Sequence, residues 1–327
     1  MRVLVTGGAG YIGSHAVRRL VSRGHQVWVW DDLSAGHAKA VHGVPLLVQD
    51  LRHTDALDQA LREHRIEAVM HFAASALVGE SVNHPELYYQ NNLVNSLNLL
   101  RVMRLCGVNK FVFSSTCAVY GVPGQVPIKE DTPLHPINPY GRTKLALEHA
   151  LADYVVAYHF GCAILRYFNA AGASPVGDIG EDHTPESHLI PLVLQVALDQ
   201  RPHIDILGTD YPTPDGTCIR DYVHVDDLAE AHVLALEQLH PGQTLKCNLG
   251  TGRGHSVREV IRACEAITGR RISTREQPRR PGDPPELVAA NDLVRKTLDW
   301  QPQYTKLHHI IETAWKWHVA HPRGFHG

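Results

Sequence analysis

The chain opens on a strand and a glycine-rich turn, residues 3–13, which read Val-Leu-Val-Thr-Gly-Gly-Ala-Gly-Tyr-Ile-Gly. The apolar run before the glycines predicts a short strand that ends at Gly7. Apolar residues then recur at helical spacing through 12–20, which predicts an amphipathic helix. A second apolar run at 27–30 ends at Asp31. This order of strand, turn, helix, strand and acid is typical of the start of a parallel α/β sheet.

The turn and the acid have the chemistry of a dinucleotide site. Glycines let the backbone approach a pyrophosphate, and the first helical turn offers free N–H groups. Asp31 can accept hydrogen bonds from the adenosine ribose, and its charge would repel a ribose 2′-phosphate. The spacing is G-x-x-G-x-x-G, at Gly7, Gly10 and Gly13, so the prediction also depends on the strands around the turn. We therefore expect NAD rather than NADP.

Strands and helices continue to alternate through the first half of the chain. Strands are expected at 45–48, 68–72, 111–113 and 163–165, and helices at 54–64, 85–106 and 139–159. This alternation predicts a doubly wound parallel Rossmann sheet of the α/β class, with helices on both faces. Ligands of such sheets lie where the strands end. We therefore expect one crevice that contains Gly7, Asp31, Asp50, Ala73, Ala74 and Thr116.

The regular alternation ends near residue 168. Residues 170–187 are rich in Gly, Pro and Asp and are expected to form a loop, and helices are expected at 189–199, 228–239, 257–268 and 306–318. We predict an NAD-binding domain at 1–168 and a smaller C-terminal α/β substrate domain at 169–327, with 219–250 returning to the first domain.

A tyrosine and a lysine lie four residues apart at the start of the helix expected from 139. Asn138 is a good N-cap, and Pro139 suits the first helical position. Tyr140 and Lys144 would share one helix face and reach the same bound molecule. A nearby cation would lower the tyrosine pKa and make it a general base, although two surface residues often have the same spacing. The dinucleotide crevice favours the catalytic interpretation.

Charge and composition exclude other classes of protein. The net charge of −3 gives no general attraction to nucleic acid or to an anionic membrane. The sequence has no apolar run long enough to span a bilayer, and no leader is expected before the first strand. The six cysteines form no Cys-x-x-Cys pair and are expected to be reduced thiols in a cytoplasmic protein. His15 and the pair at 308–309 show no ligand spacing, so no metal site is predicted.

Motifs along nearly the whole chain carry a family resemblance. They are VTGGAGYIGSH at 5–15, HFAA at 71–74, VGESV at 78–82, YYQNN at 88–92, PYGRTK at 139–144, LRYFN at 165–169, DGT at 215–217, RDYVHV at 220–225 and RRPGD at 279–283. In this order they resemble the extended short-chain dehydrogenase/reductase family, and within it most closely the UDP-hexose 4-epimerases.

The resemblance implies reversible C4 epimerisation of UDP-glucose and UDP-galactose through a transient 4-keto sugar, with tightly bound NAD. Tyr140 is implied as the base, Thr116 as a hydrogen-bonding partner of the same sugar oxygen, and Lys144 as the group that holds the nicotinamide ribose and lowers the Tyr140 pKa. The implied cofactor-binding residues are Gly7, Gly10, Tyr11, Ile12, Gly13, Asp31, Asp32, Asp50, Leu51, Phe72, Ala73, Ala74, Asn91, Ser114, Tyr140, Lys144, Tyr167 and Phe168. The implied UDP-sugar-binding residues are Thr116, Tyr140, Asn169, His188, Leu189, Arg220, Arg280, Asp283 and Leu287. A homodimer through the helices at 85–106 and 139–159 is also implied.

Three positions depart from the family pattern. Ala76 stands where a lysine near the cofactor phosphates is common, and His188 stands where some members have an asparagine. Leu287 stands where some members place a tyrosine against the sugar. The smaller side chain leads to the hypothesis that UDP-N-acetylhexosamines react as well.

Other functions on the same fold remain as alternatives. They are a UDP-pentose or UDP-uronate 4-epimerase, a sugar-nucleotide 4,6-dehydratase, a decarboxylase, and a non-catalytic dinucleotide-binding scaffold. The dehydratases that resemble this chain carry acidic residues after the threonine and the decarboxylases a glutamate, whereas Cys117 and Ala118 follow Thr116. A scaffold would be expected to lose Tyr140 or Lys144, and both are present.

Overall fold

The computed structural model describes residues 1–280 and 282–326; Pro281, within the basic turn at 279–283, and Gly327 lie outside them. The strands are β1 (Arg2–Thr6), β2 (Gln26–Asp31), β3 (Leu46–Val48), β4 (Ala68–His71), β5 (Lys110–Thr116), β6 (Gly161–Tyr167), β7 (Asn169–Ala171), β8 (Ile204–Leu207), β9 (Ile219–His224), β10 (Thr244–Leu249), β11 (Gly254–Ser256), β12 (Thr274–Gln277) and β13 (Glu286–Leu287). The α-helices are α1 (Tyr11–Ser22), α2 (Thr54–Glu63), α3 (Val78–Asn83), α4 (Pro85–Tyr88), α5 (Asn95–Leu105), α6 (Pro139–Tyr158), α7 (Leu189–Ala197), α8 (Val225–Gln238), α9 (Val257–Thr268), α10 (Asp292–Leu298) and α11 (Leu307–Ala320). A π-helical stretch (Tyr89–Val94) joins α4 to α5, and short 3₁₀ helices lie at Ala38–Val41, Cys117–Tyr120 and Gly324–His326.

Seven strands form one sheet in the order β10-β6-β5-β4-β1-β2-β3. Each neighbouring pair is parallel; Val3, for example, pairs with Val27 on one side and with Ala68 on the other. The chain runs outward from β1 to β3, crosses back, and continues outward from β4, so the topological switch lies between β1 and β4. The predicted doubly wound α/β fold is confirmed.

Two hydrophobic cores cover the two faces of this sheet. Side chains alternate along a strand, so Val3 and Val5 belong to one core and Leu4 to the other. The first core includes residues of α1 and α8, and the second includes residues of α2, α5 and α6. Each fully buried Leu or Val contributes about 1.5–3 kcal/mol. Burial on both faces explains why these strands read as continuous apolar runs.

The remaining strands form two smaller sheets. β9 pairs antiparallel with β11 and parallel with β13 and β7, and β8 pairs with β12. Helices α7, α9 and α11 share a third core with them. Helix α9 has a capping box between Ser256 and Glu259 at its N-terminus. Its C-cap is Gly269, which has φ +66°.

The structure adjusts several predicted boundaries. Helix α8 begins at Val225, three residues earlier than predicted, because the His224 side chain accepts a hydrogen bond from the Asp226 N–H and caps the helix. Within 219–250, β9 joins the second sheet, whereas β10 pairs with β6. The division into domains at 168/169 stays a prediction. Among the described residues, no helix is long and apolar enough to cross a membrane.

Candidate active site

The glycine turn has no room for a Cβ at Gly7 or at Gly13. Gly7 has φ +71°, and a Cβ there would lie 2.3 Å from the backbone nitrogen of Ala73. A Cβ on Gly13 would lie 2.1 Å from the Gly7 oxygen. The start of α1 is therefore held directly against the ends of β1 and β4, and Gly10 is its N-cap. This backbone cradle, with the first N–H groups of α1 beside it, fits a dinucleotide pyrophosphate.

Asp31 is tied to the same turn. One carboxylate oxygen accepts from the Ala9 N–H and the other from the Leu33 N–H, both at 2.9 Å. Burial raises the pKa of Asp31, while these two hydrogen bonds act against the rise. Asp32 is exposed and accepts from the N–H and hydroxyl of Ser34. The carboxylate of Asp31 is thus fixed at the end of β2, where a cofactor ribose would lie.

The other predicted cofactor residues also lie at strand ends or beside them. Asp50 and Leu51 follow β3, Phe72, Ala73 and Ala74 follow β4, Ser114 lies near the end of β5, and Tyr167 and Phe168 end or follow β6. Tyr11 donates its hydroxyl to the Gly172 oxygen at 2.6 Å, which joins α1 to the second half of the chain. These placements agree with one crevice; the individual cofactor contacts stay predictions.

The π-helical stretch positions a further polar group that sequence reasoning missed. Asn92 is buried, and its side chain accepts from the Ser75 N–H at 2.8 Å and donates to the Ser75 oxygen at 2.9 Å. Asn91, the residue predicted for the cofactor, donates to the Ser75 hydroxyl at 3.0 Å. Asn92 therefore fixes the loop after β4. The adjacent pair of asparagines was the available signal, but only the fold shows that both reach Ser75.

Tyr140 and Lys144 lie together as predicted. The Asn138 side chain accepts from the Gly141 N–H at 2.8 Å, and Pro139 occupies the first helical turn of α6. Both Tyr140 and Lys144 are buried, and the Lys144 nitrogen lies 5.9 Å from the centre of the Tyr140 ring. Lys144 donates to the backbone oxygen of Ser114 at 3.0 Å.

Burial changes the pKa values of both groups. Burial raises the pKa of Tyr140, Tyr167 adds to the rise, and a hydrogen bond with Thr116 acts against it. Burial lowers the pKa of Lys144 to about 7. The same desolvation that disfavours the phenolate thus disfavours the ammonium. That Lys144 lowers the Tyr140 pKa in the cofactor-bound protein stays a prediction.

Behind the site lies a buried ion pair that the sequence did not reveal. Arg166 of β6 donates to both carboxylate oxygens of Glu148 on α6, at 2.9 and 2.5 Å. The Ser115 hydroxyl donates to Glu148 at 2.6 Å, and Tyr120 donates to Asn248 while it accepts from Arg166. This network joins β5, α6, β6 and β10 directly beneath Thr116 and Lys144. Residues so far apart in sequence give no local signal.

Several of the predicted sugar-nucleotide residues lie on β9 or on elements that contact it. Arg220 of β9 is buried and donates to Asp283 at 2.5 Å, while Arg280 is exposed. Leu287 pairs in register with Arg220 and packs into the same small core as Cys117 and Phe168. The remaining predicted residues are Asn169 at the start of β7, Leu189 at the start of α7, and His188 as the N-cap of α7. Their contacts with a substrate stay predictions.

His188 is held by buried carboxylates. Its Nδ1 contacts Glu181, and Glu186 lies 3.5 Å from it. Both carboxylates raise the pKa of His188 against the effect of burial, so the imidazolium is favoured.

The site thus contains the buried phenol of Tyr140, the hydroxyl of Thr116 and the amino group of Lys144, whose pKa is lowered, together with the glycine turn. Such groups can move a proton to or from a substrate hydroxyl while the cofactor exchanges hydride at the same carbon. Arginines and a half-buried leucine on the facing side can hold a phosphorylated sugar.

Comparison with known proteins agrees with this geometry. The chain is 52% identical over 326 residues to a UDP-glucose 4-epimerase of Halalkalibacterium halodurans. The aligned region covers 99% of this chain and 98% of that protein. The crystal structure of a UDP-glucose 4-epimerase from Bifidobacterium longum in complex with NAD⁺ and UDP is 38% identical, with a TM-score of 0.95 over 99% of this chain and 100% of that one. A UDP-Glc/GlcNAc 4-epimerase from Campylobacter jejuni is 40% identical, with a TM-score of 0.85 over 98% and 99% of the two chains.

Residues 3–250 match the model of the NAD dependent epimerase/dehydratase family. The match includes β1 through β10, the glycine turn, and the residues Thr116, Tyr140 and Lys144. The chain belongs to the NAD dependent epimerase/dehydratase family.

Proposed function

We propose that this protein is a UDP-hexose 4-epimerase that interconverts UDP-glucose and UDP-galactose with bound NAD. The observation that carries the proposal is the buried trio of Tyr140, Lys144 and Thr116 at the carboxyl end of the sheet, beside the dinucleotide cradle. Relatives named UDP-glucose 4-epimerase match over nearly the full length at about half identity, which supports the same reaction here.

Bound NAD supplies a hydride acceptor at the sugar C4 and returns the hydride, so no net redox change results. Tyr140 takes the proton of the 4-hydroxyl as the hydride leaves C4, and it gives the proton back when the 4-keto sugar is reduced on its other face. Thr116 hydrogen-bonds the same oxygen. Lys144 would hold the nicotinamide ribose and keep it aligned with Tyr140. Burial of the trio excludes water and keeps the ketone in place.

The UDP group would be held by the facing elements. Arg220 and Arg280 suit a diphosphate, because guanidinium groups fit phosphate oxygens. Asn169, His188 and Leu189 lie at or beside the starts of β7 and α7, so they can contribute side-chain and backbone donors. Asp283 accepts a hydrogen bond from Arg220 and restrains its guanidinium group.

The rival enzymes of the fold need a proton-moving group next to Thr116. In this chain Cys117 follows Thr116, and burial raises the pKa of its thiol to about 12. A buried thiol with that pKa does not replace the carboxyl groups of a dehydratase or a decarboxylase. A buried lysine with a lowered pKa beside a tyrosine is typical of a catalytic site, and a non-catalytic scaffold would not require it.

We also propose that UDP-N-acetylhexosamines are substrates. Leu287 is only partly buried and packs against the small core that contains Cys117 and Phe168, next to Thr116 and Asn169 in sequence, so its small side chain would leave room for an N-acetyl group. We expect Leu287→Tyr to lower the rate with UDP-N-acetylgalactosamine much more than the rate with UDP-galactose. An unchanged ratio of the two rates, or no reaction of the wild type with UDP-N-acetylgalactosamine, would end this part of the proposal.

The quaternary state we propose is a homodimer. Helix α4 and the π-helical stretch pack against α6, and together they expose Leu87, Tyr89 and Val156, the last with 82% of its surface accessible. Exposed apolar side chains on these adjoining elements fit an interface with a second copy of the same chain. Light scattering should give a dimer mass for the wild type and a monomer mass for Val156→Glu. Val176→Glu, at an exposed valine elsewhere, is the matched control.

The six cysteines are free thiols, five of them buried, which supports our proposal of a reducing, cytoplasmic location. Fractionation of the producing cells tests it.

The reaction itself is tested with purified protein and UDP-galactose, without added NAD. Chromatography should show UDP-glucose and no accumulation of NADH. Tyr140→Phe should slow product formation by about 10²–10⁴-fold while the bound cofactor stays in the protein. A wild-type protein that holds NAD but forms no epimer from UDP-galactose would refute the proposed substrate, and UDP-pentoses and UDP-uronic acids would be examined next.

A further inference from the structure

A cluster of four potential metal ligands lies outside the catalytic trio, in the segment that leads into α7. It consists of Glu181, His183, Glu186 and His188, which we call the EHEH cluster. One oxygen or nitrogen atom of each residue lies within 4.8 Å of the corresponding atom of every other residue. The spacing in sequence is E-x-H-x-x-E-x-H. Sequence reasoning passed over it because the ligands lie in an irregular loop rather than at helical spacing.

The distances within the cluster suit a tetrahedral ion. Zn²⁺ binds histidine nitrogen and carboxylate oxygen at about 2.0–2.2 Å, which places neighbouring ligand atoms about 3.3–3.6 Å apart. The His183 Nδ1 lies 3.2 Å from the Glu181 oxygen and 3.8 Å from the Glu186 oxygen. The His188 Nδ1 lies 3.5 Å from the other Glu186 oxygen, Oε1, and contacts Glu181 directly. Small side-chain rotations would therefore open the cluster around one ion.

The charge of the cluster also suits a divalent cation. The carboxylates of Glu181 and Glu186 are nearly buried, with side-chain exposures of 3% and 6%. One divalent cation would balance the charge of two carboxylates, and two neutral imidazoles, the form that binds metals, would complete the ligand set.

Protons and a metal ion compete for the same imidazole nitrogens, because an imidazole must be neutral to act as a ligand. Metal binding should therefore strengthen as the pH rises.

Contacts around the cluster hold the ligands in position. The Glu181 backbone oxygen accepts from the indole N–H of Trp317 at 3.0 Å, and the neighbouring Gly180 lies so close to that ring that a Cβ would be 2.4 Å from it. One Glu186 oxygen accepts from the backbone N–H of Ser187 at 2.6 Å and of His188 at 2.7 Å. Outer contacts of this kind orient metal ligands and tune their affinity.

We propose that the EHEH cluster is a binding site for a divalent transition-metal ion of the Zn²⁺ type, with two imidazole nitrogens and two carboxylate oxygens as ligands. The ion would cross-link the loop before α7 and fix His188 at the N-terminus of that helix. His183 also packs edge-on against Tyr11 in the first turn of α1, with ring centres 6.1 Å apart. A bound ion would thus rigidify the contact between the loop and the dinucleotide turn.

The test uses the full chain, prepared without a histidine tag and freed of metal with a chelator. Zn²⁺ is titrated against a chromophoric chelator at pH 7.5, and Co²⁺ is added separately as a spectroscopic probe. We expect one Zn²⁺ per chain and the intense visible absorption of tetrahedral Co²⁺. His183→Gln and Glu186→Gln should each weaken Zn²⁺ binding by at least about tenfold and remove the Co²⁺ absorption. Lowering the pH to 5.5 should weaken binding in the wild type.

Two control variants separate this site from others. His308→Gln removes an exposed histidine elsewhere and should leave Zn²⁺ affinity unchanged. His37→Gln alters the neighbouring group of His37, Asp182 and His326. Loss of the ion in His37→Gln but not in His183→Gln would assign the metal to that group and overturn the proposal. Equal Zn²⁺ affinity in the wild type and in His183→Gln would overturn it as well, as would an octahedral Co²⁺ spectrum in the wild type.

Discussion

The ammonium nitrogen of Lys144 donates to the backbone oxygen of Ser114 at 3.0 Å, so the catalytic helix α6 is joined to the end of strand β5. Only 3% of Lys144 is exposed. The contact places the lysine beside Tyr140 and Thr116 but does not compensate for the loss of water around its charge, since burial lowers its pKa to about 7. Lys144 therefore sits at the boundary between its charged and neutral forms at physiological pH.

This pKa predicts how stability depends on pH. Between pH 7 and the ordinary lysine pKa of about 10.4, the unfolded chain holds a proton on Lys144 that the folded, cofactor-free protein has released. The free energy of unfolding attributable to Lys144 should therefore rise with pH above 7 and be flat below 7. Urea unfolding at pH 6, 7, 8 and 9 should show this rise in the wild type relative to Lys144→Met. A constant difference between the two proteins would mean that Lys144 keeps an ordinary pKa.

Removal of the Tyr140 hydroxyl should affect the reaction and not the fold. Loss of a positioned general base typically costs about 10²–10⁴-fold in kcat, and we expect Tyr140→Phe to fall in that range. The urea midpoint should stay close to that of the wild type, because the ring itself remains packed against Tyr88. Tyr154→Phe, on the same helix, is the control and should keep full activity. A Tyr140→Phe protein with near wild-type kcat would remove Tyr140 from the mechanism.

The glycine cradle gives a prediction about cofactor binding. A Cβ at Gly13 would lie 2.1 Å from the Gly7 oxygen, so Gly13→Ala must push the start of α1 away from the turn. We expect the purified variant to lose its bound NAD and to unfold at a lower urea concentration. At Gly79 in α3 a Cβ would meet nothing within 4 Å, so Gly79→Ala should bind NAD normally. Retention of NAD by Gly13→Ala, measured by absorbance after denaturation, would contradict the cradle.

The buried pair of Glu148 and Arg166 should be important for stability. Arg166→Met leaves the Glu148 carboxylate buried without its partner, which typically costs about 3–5 kcal/mol of unfolding free energy. The exposed pair of Asp58 and Arg62 on α2 offers a matched comparison, and Arg62→Met should change stability far less, because solvent screens exposed ion pairs. Urea unfolding measures both variants. Equal losses would show that burial of the first pair has no special energetic consequence.

Much of the first sheet could be predicted because its signals are local. The apolar run at 3–5, the glycines after it and Asp31 lie within one strand–helix–strand unit, and the fold follows from repeats of that unit. Asn138 and Pro139 likewise identify the start of α6 from sequence, and the structure confirms that cap. These features depend on neighbours in sequence, which a sequence displays directly.

The rest depends on partners distant in sequence. The sequence predicts that Arg166 is part of a strand, and no neighbouring residue indicates a salt bridge to Glu148, which lies 18 residues earlier. Strands such as β7 and β13 contain three and two residues, so their register comes from pairing with β9 and not from their own pattern. Burial raises the pKa of Tyr140 and lowers that of Lys144, and the sequence did not reveal this because spacing reports proximity of the two groups but not their burial.

The central claim is that hydride leaves the sugar C4 and returns to the same carbon, with Tyr140 moving only the hydroxyl proton. The most direct measurement follows UDP-galactose that carries deuterium at C4, with the purified protein in ordinary water and the product examined by mass spectrometry and NMR. The account predicts UDP-glucose that retains deuterium at C4. Loss of the label to solvent would contradict it, because the C4 hydrogen would then have left as a proton rather than as a hydride held on the bound cofactor.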